Sequence, residues 1–182
     1  MVSGGRLHPQ EVRARAMRTI LVLTDNDGVL TDGTVYVSEK GEELVRYSRR
    51  DGMGVERLRD EGLQVGIVTR ERTAFAVRRA EKLKMMCWTG VLNKRAYLET
   101  ILEETKLTLD QIAYIGDDIN DLGIIEAVGE IGLTAAPADA MPEVLQKVHH
   151  VCTATGGRGA FREFAEWLLS HREPTRDFQG GQ

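Results

Sequence analysis

The apolar run Ile20-Leu21-Val22-Leu23, followed almost at once by Asp25-Asn26-Asp27-Gly28, constrains this chain more than any other stretch. Consecutive apolar residues without polar alternation suit a strand buried on both faces, and such strands belong to parallel sheets covered by helices. In open α/β sheets ligands bind beyond the carboxyl ends of the strands, so Asp25 and Asp27 are expected at the edge that carries the chemistry. Two carboxylates held there repel each other unless a cation or a shared proton relieves them. Asp, Asn and Gly are also ordinary turn residues, so this stretch alone leaves a catalytic pair and a plain turn both open.

The remainder of the chain repeats the theme. Spacing predicts strands over Thr19–Thr24, Leu63–Val68, Met85–Trp88, Ile112–Ile115, Ile131–Thr134 and His150–Cys152. Between them it predicts helices over Val55–Glu61 (closed by Gly62), Thr73–Leu83, Lys94–Lys106, Ile119–Val128, Met141–Val148 and Ala160–Ser170. Strands alternating with helices give an α/β fold, a doubly wound and mostly parallel sheet with helices on both faces. Two β-rich runs around Glu39-Lys40-Gly41-Glu42 make Thr34–Ser48 a β-hairpin, and Asp51-Gly52-Met53-Gly54 reads as a turn. Residues 1–17 read as a polar leader with a short helix at Pro9–Met17, residues 18–171 as a single domain, and residues 172–182 as a mobile tail.

A chain of 182 residues is long enough for one core that buries about 70% of the unfolded surface. The net charge of -4 and pI near 5.6 give no reason to expect nucleic acid as a partner. No apolar stretch approaches the roughly 20 residues of a membrane span. Met1–Arg18 lacks the apolar segment of a secretory signal, so a cytoplasmic location is expected. Cys87 and Cys152 make no readable disulfide framework or zinc site.

Three predicted strands end in suggestive residues: Asp25/Asp27, Thr69 and Asp117/Asp118, while Lys94 opens a helix after a fourth. In a parallel sheet all of them gather at one edge. The acids suit Mg²⁺, a hard ion that prefers oxygen ligands. Thr69 and Lys94, with backbone N–H groups of the turns, suit a phosphate dianion. A carboxylate set against a neutralised phosphate can attack phosphorus and form an aspartyl-phosphate.

Asp25-Asn26-Asp27-Gly28, Thr69, Lys94 and Gly116-Asp117-Asp118-Ile119-Asn120-Asp121 resemble, in order and spacing, the four motifs of the haloacid dehalogenase superfamily in its phosphatase branch. The hairpin, Arg50-Asp51-Gly52 and Gly156-Gly157-Arg158-Gly159-Ala160 are further similar to its small capless subgroup, which acts on phosphorylated 3-deoxy-ulosonic acids. The resemblance implies a hairpin flap in place of a cap domain, and it implies roles. Asp25 is expected as nucleophile and metal ligand, and Asp27 as general acid and then general base, reaching the metal through its backbone carbonyl. Asp117 is the expected third ligand with Asp118 behind it. Thr69, Arg70 (through its backbone N–H) and Lys94 are expected on the phosphoryl group, with Lys94 also steadying Asp25. Two residues depart from the family pattern: Asn26 replaces an aliphatic residue and Arg70 a glycine.

The same resemblance implies a homotetramer, with each pocket closed by neighbouring subunits through the hairpin. It assigns substrate recognition to Glu71, Arg79 and Lys82, with Arg79 on the substrate carboxylate. Glu71 and Lys82 match relatives acting on nine-carbon acids, which points to a nonulosonate 9-phosphate of the deaminated neuraminic acid type. 3-Deoxy-D-manno-octulosonate 8-phosphate is the alternative, and a non-catalytic oligomerising module of a sugar-activating pathway a further one. A solvated helix face is the competing reading for these charges, since Glu81 and Lys84 lie beside them.

Overall fold

A computed structural model describes residues 7–172. In chain order its elements are α1 (Pro9–Arg18), β1 (Leu21–Thr24), the hairpin strands β2 (Tyr36–Val37) and β3 (Glu43–Leu44), α2 (Arg49–Asp60), β4 (Gln64–Val68) and α3 (Ala74–Leu83). There follow β5 (Met86–Trp88), α4 (Lys94–Thr105), β6 (Ile112–Ile115), α5 (Leu122–Gly129), β7 (Leu133–Ala136), α6 (Pro142–Leu145), β8 (His150–Val151) and α7 (Ala160–Ser170). Six strands form one sheet in the order β5-β4-β1-β6-β7-β8, and each neighbouring pair runs parallel.

The strand that opens the acidic turn lies inside this sheet and is buried at every residue. Its side chains alternate between two cores, as a pleated strand requires. Val22 packs with Val12 of α1, Leu58 of α2 and Phe161 and Phe164 of α7. Leu21 and Leu23 pack with Leu98 and Ile101 of α4 and Ile124 and Val128 of α5. The order of strands changes direction at β1, between β4 and β6, so its carboxyl end is the crevice where such sheets bind ligands.

Several boundaries differ from the sequence expectation, each for a physical reason. Residues from Pro9 onward belong to the domain and not to a leader. Val12 and Ala16 of α1 are buried, Arg15 donates to Gly129 O and Gly132 O at 2.9 Å each, and Arg172 holds Ala16 O and Thr19 O at 2.7 Å. The tail expected beyond Arg172 lies outside the described residues. Asp51-Gly52-Met53-Gly54 is helical, because Ser48 Oγ caps α2 by accepting from Arg50 N and Asp51 N. Gly54 is there for close approach: a Cβ on it would stand 2.9 Å from Arg162 Cα of α7. β7 starts two residues later than expected because Ile131 N and Gly132 N close the end of α5 on Val128 O.

Ile119–Asp121 is a short 3₁₀ turn before α5, and α6 is a single turn. The hairpin forms, though its ladder is brief, and it stands away from the domain with Tyr36, Val37 and Leu44 more than 60% exposed. No described helix is long and apolar enough to cross a membrane.

Candidate active site

Asp25 continues β1 into the crevice, its N–H donating to Ile115 O at 3.0 Å. The residue is 5% exposed, and its carboxylate meets Lys94 Nζ through Oδ2 at 2.7 Å. Lys94 rises from the first residue of α4, which Asn93 caps through Ala96 N. That lysine is itself 1% exposed and reaches a second carboxylate, Asp121 Oδ1, at 2.6 Å. Burial works against its charge, but Asp25 and Asp121 outweigh burial and hold the ammonium above its usual range.

Asp121 is the anchor of this cluster. Its Oδ1 also accepts from Tyr114 OH at 2.6 Å, and its Oδ2 accepts from the backbone N–H of Asp117 and Asp118 at 2.9 and 3.3 Å. The acid is thereby fully committed, and it holds the loop that presents Asp117. In the sequence Asp121 stands within the Gly116–Asp121 motif with no role attached, and Tyr114 is one residue of an apolar strand. The signal for Asp121 was its four-residue distance from Asp117; nothing in the sequence pairs Tyr114 with it.

The Asp117 carboxylate lies against Gly28, which has φ +80° and no room for a side chain, since a Cβ would overlap that carboxylate. Asp117 Oδ1 is buried without a partner. Burial first, then the charges of Asp25, Asp121 and Asp118, push its carboxyl up to about 8. Burial and Asp121 likewise push Asp25 up to about 7 against the pull of Lys94. Carboxylate oxygens of Asp25, Asp117 and Asp121 all lie within 4.8 Å of one another. A crowded all-oxygen set with one orphaned buried oxygen fits Mg²⁺. Asp121 has two partners on each oxygen, whereas Asp25 has one on each, Asn26 N and Lys94 Nζ at 2.7 Å, and Asp117 Oδ1 has none, so Asp25 and Asp117 are the side chains with lone pairs left to hold it.

The Asp27 side chain is not among those three converging acids. Its Oδ1 accepts from Asn26 Nδ2 at 3.0 Å and from Thr31 Oγ1 at 3.4 Å. Burial raises its carboxyl above the usual range, with the Asn26 and Thr31 bonds pulling the other way. Thr69, 1% exposed, follows β4 directly, and its hydroxyl accepts from Glu71 N at 3.2 Å, which tightens the turn over the crevice.

A cavity of about 830 Å³ opens above these groups, lined by Asp25, Asp27, Thr69, Arg70, Glu71 and Asp117 among others. Lys94 sits beneath it. Arg79 and Lys82 do not line it. Lys82 is exposed on α3, and Arg79 donates through Nη2 to Ser48 O at 2.9 Å while its guanidinium lies 5.0 Å from the centre of the Tyr47 ring. Asp118 caps the 3₁₀ turn through Ile119 N. The loop at Gly156-Gly157 seats the acidic turn from behind, Gly157 N donating to Val29 O at 2.8 Å.

Comparison with known proteins bears on this geometry. Residues 89–162 match the family model of haloacid dehalogenase-like hydrolases. The chain is 36% identical to the 3-deoxy-D-manno-octulosonate 8-phosphate phosphatase of Yersinia pestis over 87% of its length and 84% of the relative. It is 34% identical to the protein of that name from Escherichia coli strain K12 over the same shares. Among solved structures, a phosphatase of this name from Moraxella catarrhalis, in complex with magnesium, phosphate and 3-deoxy-D-manno-octulosonate (KDO), superposes with a TM-score of 0.84 at 28% identity. That superposition covers 91% of this chain and 94% of the other. A hypothetical protein of Xanthomonas campestris gives a TM-score of 0.84 at 34% identity, covering 94% and 92% of the two chains.

Proposed function

The chain belongs to the haloacid dehalogenase-like hydrolases, in the family of 3-deoxy-D-manno-octulosonate 8-phosphate phosphatases, and from that premise we propose that it hydrolyses the phosphate ester of this eight-carbon acid. One observation carries the reaction: a buried carboxylate, Asp25, is held by Lys94 at 2.7 Å and faces an open cavity edged by Thr69 and Arg70.

The phosphoryl group sits between Asp25 and the turn after β4, its oxygens bound by Thr69 Oγ1, the backbone N–H groups of that turn and Lys94. Asp25 attacks phosphorus as Asp27 delivers a proton to the departing sugar oxygen, so the ester bond breaks and an acyl phosphate forms on Asp25. Asp27, now a carboxylate, takes a proton from water. That water attacks phosphorus, frees phosphate and restores Asp25. Asp25 and Asp117 would hold Mg²⁺, which would neutralise the charges that otherwise repel nucleophile and phosphate.

The nine-carbon preference expected from Glu71, Arg79 and Lys82 gives way here to the alternative. The relatives carry the name of the eight-carbon enzyme. Of the three residues, only Glu71 lines the subunit's own cavity, and within the subunit Arg79 is engaged with Tyr47 and Ser48. The test is kcat/KM on the 8-phosphate and on a nonulosonate 9-phosphate under the same Mg²⁺; a strong preference for the nine-carbon ester overturns the assignment.

The reading extends to a homotetramer in which hairpins close neighbouring pockets. Val35, Tyr36, Val37 and Leu44 are 43 to 70% exposed on that hairpin, an apolar strip that a neighbouring subunit would cover.

A further inference from the structure

Asn26 is fully buried in the acidic turn, yet it takes no part in the transfer path described above. A buried carboxamide costs stability unless both its ends are bonded, and here both are. Nδ2 donates to Asp27 Oδ1 at 3.0 Å, and Oδ1 accepts from Tyr47 OH at 2.9 Å. The two bonds are directional. A carboxylate only accepts, so it draws the NH₂ end, and the tyrosine hydroxyl then donates to the carbonyl end. Burial, with the Asp27 charge adding to it, pushes the Tyr47 phenol up to about 12 against the pull of its bond to Asn26, so it stays a donor at neutral pH.

Tyr47 is fixed in its turn. The Arg79 guanidinium lies against its ring, and Arg79 Nη2 holds Ser48 O, the carbonyl of the residue that caps α2. A continuous chain of contacts therefore runs from α3, through the base of the hairpin, to the carboxylate that serves as acid and base. Both of the Asp27 partners named above, Asn26 Nδ2 and Thr31 Oγ1, meet the same oxygen, Oδ1.

We propose that Asn26 is a positioning residue: it fixes the Asp27 carboxylate by Oδ1 so that Oδ2 is presented to the leaving-group oxygen, with Tyr47 and Arg79 as its buttress. The proposal rests on the reading of Asp27 as general acid. It gives Asn26 a purpose that an aliphatic residue at this position cannot serve, and it gives Arg79 a role through Tyr47. Misplacing a reacting group by about 1 Å can cost on the order of 100-fold.

The test uses two substrates and kcat/KM, which reports only the steps through departure of the leaving group. The sugar-acid phosphate releases an alkoxide that needs a proton, whereas 4-nitrophenyl phosphate releases a phenolate that does not. Asn26→Leu is expected to lose about 10- to 100-fold on the sugar-acid phosphate and far less on the aryl ester. Tyr47→Phe, which keeps the ring under Arg79, is expected to shift the ratio of the two the same way by a smaller factor. A wild-type ratio in both variants overturns the proposal, and so does an equal loss on both substrates. Asp27→Asn is the control: if it loses equally on both esters, the reading of Asp27 as acid fails, and that failure is separate from any result with Asn26. Should Asn26→Leu not fold, the Tyr47→Phe ratio decides alone.

Discussion

Lys94 shows what single residues do in this molecule. A lysine 1% exposed, bonded to two carboxylates at 2.6 and 2.7 Å, keeps two buried acids together that would otherwise repel. Removing one partner of a buried charge cluster leaves the others uncompensated, which costs about 3–5 kcal/mol. Lys94→Met is therefore expected to lose stability of that order in urea unfolding, together with phosphoryl transfer; wild-type stability would show that the cluster is not coupled as described. His149 makes a second, independent case. Its Nδ1 sits 3.2 Å from both Thr134 N and Thr134 Oγ1, and burial, with the Arg15 charge, lowers its pKa from 6.5 to about 4. A base depressed in the folded state stabilises above its unfolded pKa and loses that stability as pH falls, here from 6.5 towards 4. Allowing for its partial exposure, the loss is on the order of 1–2 kcal/mol. It is read as the pH dependence of unfolding that disappears in His149→Gln, and an unchanged dependence would refute it. At this scale the sequence was legible wherever an apolar run stops on an acid, as at Asp25 and Asp117. Tyr114 and Asn26 were not legible, because their meaning lies in partners from other elements.

Among the elements, α2 and α7 are joined by a hook that the sequence concealed. Asp51, 1% exposed near the start of α2, accepts from Gly159 N at 3.1 Å and Arg162 N at 3.0 Å, thus capping α7 from another helix. The cap sits just after the Gly156-Gly157 loop that seats the acidic turn. Asp51→Ala is expected to cost about 1–3 kcal/mol, the range for losing a cap and stranding buried donors. Denaturant unfolding checks it, and a change under about 0.5 kcal/mol would place Asp51 among ordinary surface substitutions. Local propensity misleads here, because two glycines in four residues read as a turn. They are helical for packing, as Gly54 against Arg162 shows. Nor could composition alone place α1 in the core, since only Val12 and Ala16 mark its buried apolar stripe.

For the molecule as a whole, the architecture followed from alternation: buried strands with helices between them admit few other arrangements, and the six strands of the main sheet run parallel. Assembly was less accessible, since a hairpin's sequence does not say what covers it. On the homotetramer proposed above, Leu44→Asp, on a residue 70% exposed, is expected to leave the subunit folded but to shift the solution mass from tetramer to a smaller species and raise KM. Light scattering reads the mass; an unchanged tetramer would remove the hairpin from the interface. The central claim concerns Asp25 as the group that takes the phosphoryl. It is tested most directly by phosphate release from 3-deoxy-D-manno-octulosonate 8-phosphate, followed side by side for the wild-type chain and a folded Asp25→Asn variant, with and without Mg²⁺. The account predicts turnover by the wild type with Mg²⁺, its loss on chelation, and none by the variant; turnover by Asp25→Asn at a rate near wild type would contradict it.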